Sequence, residues 1–314
     1  VKDACGNTST KDIVVTIPAA LTVSLEPENE TCAGNDGKIN YTIAGGTAGY
    51  TVVLSGDSAT QTAAGTYTFT GLAAGTYTVT VTHDHGCLAT AADTITLNNN
   101  FTVSASNTAI CSGDTFTVNP TASHTAKYSW AAPTATGIDG AEAGTDASNI
   151  SGTLTNTTTS ATSITYNVTA TTANGLCTAD SFDVVVTVYA PVTGGSIQKD
   201  FISCNVADTI VTLANDTAGN GGYGGTYGWE KSTDNGTTWT PIPNSNGVDY
   251  TPSYHDNLGT VLYRRMYNAN CDVKPSNTVS VTYYGNVNPG TVVCSGEGND
   301  CAANYCYGSN INVT

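Results

Sequence analysis

Bases are scarce in this 314-residue chain: nine Lys+Arg stand against 25 Asp+Glu, for a formal net charge of −16. Such a chain offers no electrostatic footprint to nucleic acid or to an anionic membrane. Charged residues of both signs reach only 11%, about half of what a soluble domain usually carries. Methionine occurs once, at Met266, and helix faces rich in Lys and Met are nearly absent. No apolar run approaches the roughly 18 residues of a membrane-crossing helix. No Cys-x-x-Cys occurs, which removes the common structural zinc sites. H-E-x-x-H and G-x-S-x-G are also missing, so neither motif marks a metalloprotease or hydrolase site. The chain opens on Val-Lys-Asp-Ala-Cys-Gly, without the pattern of a secretory leader, and is expected to be a segment of something longer.

What is present favours strands. Threonine occurs 56 times, beside 33 glycines and 17 tyrosines. Thr76–Thr82 alternates strictly, with Tyr77, Val79 and Val81 on one face and threonines on the other, the period of a half-buried strand. Ala63–Thr70 nearly repeats Ala73–Thr80, with Gly71-Leu72 between, which predicts strand, turn, strand. Ser163–Thr169 and Asp183–Val188 alternate likewise. Tyr227–Ser232 and Thr237–Thr240 flank Thr233-Asp-Asn-Gly236, a strong hairpin pattern. No stretch reads as a helix of three turns.

Ten cysteines, at 5, 32, 87, 111, 177, 204, 271, 294, 301 and 306, suit disulfides and an oxidising compartment. They fall into two kinds. An early kind precedes a short turn and a strand (Cys32, Cys111, Cys204, Cys306), and a late kind follows a long alternating strand (Cys87, Cys177, Cys271). The repeat predicts the pairs Cys32–Cys87, Cys111–Cys177 and Cys204–Cys271, which close loops of similar length. Each would stabilise by roughly 4 kcal/mol in the chain-entropy picture. Cys294–Cys301 is expected as a local bridge, with Cys306 or a neighbouring chain as the alternative partner. Cys5 reads as a late cysteine and Cys306 as an early one, their partners lying outside the segment.

The expected organisation is all-β: tandem immunoglobulin-like β-sandwich modules in a row, stapled by disulfides. Residues 1–18 would end a preceding module. Residues 19–98, 99–190 and 191–285 would each be a sandwich, and 286–314 would begin another. About seven short strands and an early-to-late disulfide per module carry this reading. Trp130 and Trp229 are expected to pack on the sulfurs. Short linkers, some with Pro (Ile17–Ala20, Asn98–Asn100, Tyr189–Gly195, Gly285–Gly290), imply limited bending between modules.

A family resemblance follows from three motifs in the first module: Cys32-Ala-Gly-Asn-Asp-Gly37, Ile43-Ala-Gly-Gly-Thr-Ala-Gly-Tyr50 and Gly71–Cys87. From Glu30 to Cys87 this module resembles the SprB-type repeats of giant surface adhesins in gliding and other Bacteroidota-type bacteria, with Gly49 standing where the repeats usually carry Pro. The second module is similar to the PKD-like repeats of such adhesins through Tyr128-Ser-Trp130, Leu154-Thr-Asn156 and Ile164-Thr-Tyr166. The third resembles their Ig-like repeats through Trp229–Trp239 and Leu262-Tyr-Arg-Arg265. The resemblance implies export by a type IX route, an extracellular place at the cell surface and a filament or adhesin role, and it brings no catalytic residue.

Candidate chemistry is correspondingly thin. Asp139, Glu142 and Asp146 share a Gly-rich loop, as do Glu297 and Asp300, and hard oxygen ligands on loops are what calcium takes. The spacing fits no EF-hand, and calcium is the one cofactor the residues admit. His83 and His85 flank Asp84 and read as a polar turn. Arg264-Arg265, the one doubled base, should point to opposite faces of a strand and pair with carboxylates or stack on Tyr263, Tyr267 or Trp. Ser58, Thr94, Thr209 and Thr217 lie in Asp-Ser/Thr-aliphatic strings that look like the O-glycosylation motif of these bacteria. The expected function is a structural or adhesive repeat segment without catalysis. Its partners would be neighbouring modules of the same chain and surface glycans or other cell-surface proteins, with no nucleic acid and no membrane insertion. The alternatives are a lectin-like module using Tyr223, Tyr227, Trp239 and Tyr250, or spacer modules of a secreted enzyme.

Overall fold

A computed structural model describes residues 1–13, 15, 17–55, 57–198, 201–204, 212–252 and 259–284. Among the described residues all regular structure is β, with no helix. It forms three successive sandwiches, each around its own hydrophobic cluster.

In the first module, strands Thr22–Glu28, Gly37–Ala44 and Gly65–Leu72 form one antiparallel sheet. Asp57–Gln61, Tyr50–Leu54, Gly75–His83 and Leu88–Ile95 form the facing sheet. Alternation decides what lies between them. Ile39, Tyr41 and Ile43 point inward from one sheet, and Val52, Leu54, Val79 and Val81 from the other. Burying each such side chain stabilises by about 1.5–3 kcal/mol. The two near-identical strings separate at Gly71, whose φ of +78° turns the chain from one sheet to the other. Each string closes on itself in the same way: Tyr67 Oη donates to the Ala63 carbonyl and Tyr77 Oη to that of Ala73, both at 2.9 Å.

The second and third modules share a five-strand order. In the second it runs Thr108–Cys111, Phe182–Tyr189, Thr162–Thr172, Ala126–Trp130, Gly144–Ala147. In the third it runs Phe201–Cys204, Val279–Tyr284, Gly259–Asn268, Thr226–Ser232, Thr240–Pro241. In both, the first strand lies parallel to the last: Cys111 is opposite Tyr189, and Cys204 opposite Tyr284. The first module repeats the device in miniature. Glu30–Thr31, directly before Cys32, pairs in parallel with Leu97–Asn98.

Threonine's abundance now has a structural use. Directly opposed hydroxyls bridge outward faces at Thr42–Thr66, Thr76–Thr94, Thr115–Thr153, Ser163–Thr187 and Thr260–Thr282, at 2.7–3.1 Å. These cross-strand pairs take the places where ion pairs commonly stand. Trp130 and Trp229 meet tyrosine at module centres rather than the expected sulfurs, because the disulfides lie at module ends. Trp130 packs edge-on against Tyr166 at 6.3 Å, and Trp229 lies 5.4 Å from Tyr250.

Candidate functional site

The parallel pairing fixes where the cysteines sit. Each early cysteine ends or follows a strand beside the end of its module's last strand, at the carboxy pole. Each late cysteine lies in the turn that leads into the last strand, at the amino pole. From Phe182 to Tyr189 is seven strand steps, about 23 Å, whereas a disulfide needs Cα atoms within about 7 Å. The two cysteines of one module therefore cannot meet.

They bond to the neighbouring module instead. Cys32 is joined to Cys177, with Cα atoms 5.6 Å apart, and Cys111 to Cys271 at 5.5 Å. This corrects the expected pairs Cys32–Cys87, Cys111–Cys177 and Cys204–Cys271: the cysteine classes are kept, but early now meets late of the next module. Cys87, expected in a bridge, is unbonded and exposed, as is Cys5. Cys204 ends its strand at the same place as Cys111. Cys294, Cys301 and Cys306 lie outside the described residues. The bridges close loops of 145 and 160 residues. Each is worth about 5 kcal/mol in the chain-entropy picture when both joined modules unfold.

Polar contacts surround each bridge. At the first junction Asn174 Nδ2 donates to the carbonyls of Cys32 and Ala33 at 3.1 and 3.3 Å, and Asn99 Nδ2 to that of Thr178 at 2.9 Å. Leu176 comes down on Gly34, whose φ is +86°. A Cβ there would stand 2.9 Å from Leu176 Cδ1, so the close approach requires glycine twice over. At the second junction Tyr189 stacks on Tyr223 with centroids 4.7 Å apart. Asn220 Nδ2 donates to the Thr159 carbonyl at 2.7 Å, and Thr193 and Asn220 exchange backbone hydrogen bonds. Covalent and polar contacts thus hold the modules together at both junctions, with an aromatic stack added at the second.

The other candidates fall elsewhere. Asp139, Glu142 and Asp146 are exposed, and no group of three or more metal-ligating residues is found among the described residues. Their loop is organised around Trp130 instead. Trp130 Nε1 donates to the Glu142 carbonyl at 3.0 Å, and the Asp146 amide donates to Ser129 Oγ at 3.0 Å. Glu297 and Asp300 lie outside the described residues. Thr94 and Thr217 are exposed on strands, Ser58 lies in the strand Asp57–Gln61, and Thr209 lies outside the described residues.

Arg264 and Arg265 point to opposite faces. Arg264 pairs with Glu230 at 2.7 Å and lies 4.1 Å over the Trp239 ring. Arg265 is fully buried, which strand alternation foretold: it follows Val261 and Tyr263 on the inward face. Among the described residues no carboxylate pairs with it. Its guanidinium donates to Asn215 Oδ1 and to the carbonyls of Val248 and Thr217 at 2.7–2.9 Å, and lies 4.8 Å over Tyr227. Burial pulls its pKa below the usual value, while Tyr227 and Asp249 oppose that shift. The proposed sugar-stacking rings are engaged in the same way: Tyr223 on Tyr189, Tyr227 under Arg265, Trp239 under Arg264, and Tyr250 on Trp229.

Residues 108–191 match a family described as PKD-like domain, and residues 193–297 match a domain of unknown function, DUF8696. None of the curated proteins matches the chain. Among solved structures, the I-band fragment I67–I69 of titin is similar at 11% identity and a TM-score of 0.40, covering 87% of this chain and all of that one. Domains A168–A170 of titin are similar at 12% identity and a TM-score of 0.44, covering 84% and 100%. The sheets and the parallel first strands make this a chain of tandem immunoglobulin-like β-sandwich modules, of which residues 108–191 match a PKD-like domain, and disulfides join the second module to the first and to the third.

Proposed function

We propose that the chain is a force-carrying repeat segment of a long exported cell-surface filament or adhesin of the SprB type. The observation that carries this reading is the bonding of each module to the next. A bridge inside a module stabilises that module alone. A bridge between modules resists their separation, which matters most in a chain pulled from its ends. Threonine-covered faces with few charges fit an extracellular setting, where disulfides persist. Export by a type IX route, contacts with surface glycans or cell-surface proteins, and glycans on Thr94 or Thr217 belong to the same proposal.

Cells exporting the full chain with Cys111→Ser provide the test. Surface display, read by antibody labelling, should be unchanged, while cells should detach from a surface at lower shear than the parent. Detachment at unchanged shear, or a chain retained inside the cell, would overturn the proposal.

A further inference from the structure

Cys87 sits in a turn built like the turn of Cys177. In the first, the His83 amide donates to the Cys87 carbonyl at 3.1 Å and the Gly86 amide to the His83 carbonyl at 2.8 Å. In the second, Thr172 donates to Cys177 at 2.9 Å and Gly175 to Thr172 at 2.8 Å. Gly86 and Gly175 have φ of +82° and +77°. Cys87 and Cys177 therefore hold one position at the amino pole, where Cys271 also precedes the last strand, and Cys177 and Cys271 are each bonded to the early cysteine of the module before. Beside the third, Leu88 is 65% exposed, next to its cysteine as Leu176 is at the first junction.

A second observation points the same way. Residues 2–8 form a turn with the same backbone bonds, Asp3 amide to Asn7 carbonyl and Gly6 amide to Asp3 carbonyl, and Gly6 has a φ of +86°; Cys5 stands just before the glycine where Cys87 and Cys177 follow theirs. Ile13, Val15 and Ile17 then alternate along the chain, yet are 82%, 77% and 84% exposed. An apolar strand face in this pattern belongs over a sandwich core.

We propose that Cys87 is the docking and bonding site for the early cysteine of a module that precedes residue 19, of which residues 1–18 supply the late turn and last strand. The described early turns specify the partner further. Both read Cys-x-Gly, as Cys32-Ala33-Gly34 and Cys111-Ser112-Gly113, with glycine φ of +86° and +90°. The partner is therefore a Cys-x-Gly turn after a short strand that lies beside the stretch carrying Ile13, Val15 and Ile17. The oxidant is a disulfide-donating thiol oxidoreductase of the export route. The early thiol displaces one sulfur of its disulfide to form a mixed disulfide. The Cys87 thiolate attacks the early sulfur and the oxidoreductase leaves as a dithiol, having taken up two electrons and two protons.

The test uses the full-length exported chain, purified without reductant, blocked with N-ethylmaleimide before unfolding, digested and mapped by mass spectrometry. The Cys87 peptide should be found linked to a Cys-x-Gly peptide from upstream in the same chain. In a Cys87→Ser chain that upstream cysteine should become maleimide-labelled while the two described bridges persist. Cys87 carrying maleimide, or bonded to Cys5 or to a cysteine of another chain, would overturn the proposal and leave the force-carrying reading untouched.

Discussion

Pulling the chain from its ends tests the bridge pattern directly. Between Cys32 and Cys271 the backbone runs 239 residues (271 − 32). With both bridges closed, the shortest covalent path enters at Cys32, crosses to Cys177, runs backwards to Cys111 and crosses to Cys271. It contains only 66 backbone residues (177 − 111). At about 3.5 Å per extended residue, full extension is about 230 Å oxidised and about 840 Å reduced, a release of roughly 600 Å. Cys111→Ser leaves a path of 94 residues (271 − 177), about 330 Å. Single-molecule force extension, with one handle between residues 19 and 32 and the other after residue 271, measures each length. Cys87→Ser is the decisive control and should change nothing. Bridges inside modules would instead have it release about 55 residues (87 − 32), or about 190 Å. That lengthening, or an oxidised tether as long as the reduced one, would refute the pairing.

Three further outcomes are expected. Arg265→Met removes the buried donor of Asn215 Oδ1 and of the Val248 and Thr217 carbonyls, and should lower third-module stability by roughly 3 kcal/mol; Arg264→Met, at a partly exposed ion pair, should cost about 1 kcal/mol or less. Urea unfolding followed by Trp229 fluorescence compares the two, and equal losses would contradict the burial argument. Asp234 is held down to about 2 by the Thr238 hydroxyl and amide and by the Ser232 hydroxyl. Because the folded value is depressed, its help to the 233–238 turn is full above about pH 4 and lost as pH falls through about 2; NMR of the Thr238 amide should report that titration, and Asp234→Asn should abolish it. Gly144→Ala would place a Cβ 2.3 Å from the Trp130 ring, and should lower the melting temperature of the second module through overpacking worth about 1–3 kcal/mol.

Strand alternation made the sheets legible in the sequence. Tyr77, Val79 and Val81 against outward threonines translate directly into the structure, whereas the second strand expected at Thr237–Thr240 is met only at Thr240–Pro241, across a longer loop that contains Asn235-Gly236. The same period held the clue to Arg265, two positions beyond Tyr263 on the inward face. The two classes of cysteine were also legible. Their partners were not, because bonding within a module and bonding to the next use the same two classes, displaced by one repeat. Only the parallel register of Cys111 with Tyr189 separates them, and pairing between strands so distant in sequence leaves no local pattern. The use of the loop at Asp139–Asp146 was hidden for a related reason: it meets Trp130 through a backbone carbonyl and Ser129 through an amide, groups that nearly every residue carries.

The overlap of the two loops has a consequence for a chain met by proteases. A cut between Cys32 and Cys111 leaves the ends joined through Cys32–Cys177. A cut between Cys177 and Cys271 leaves them joined through Cys111–Cys271. A cut between Cys111 and Cys177 leaves two routes, one along each flank. Any single nick between Cys32 and Cys271 therefore leaves the strand whole, as a knitted fabric holds when one thread is snipped. Severing it takes three backbone cuts, one in each of the segments 32–111, 111–177 and 177–271, or a single cut together with a reductant.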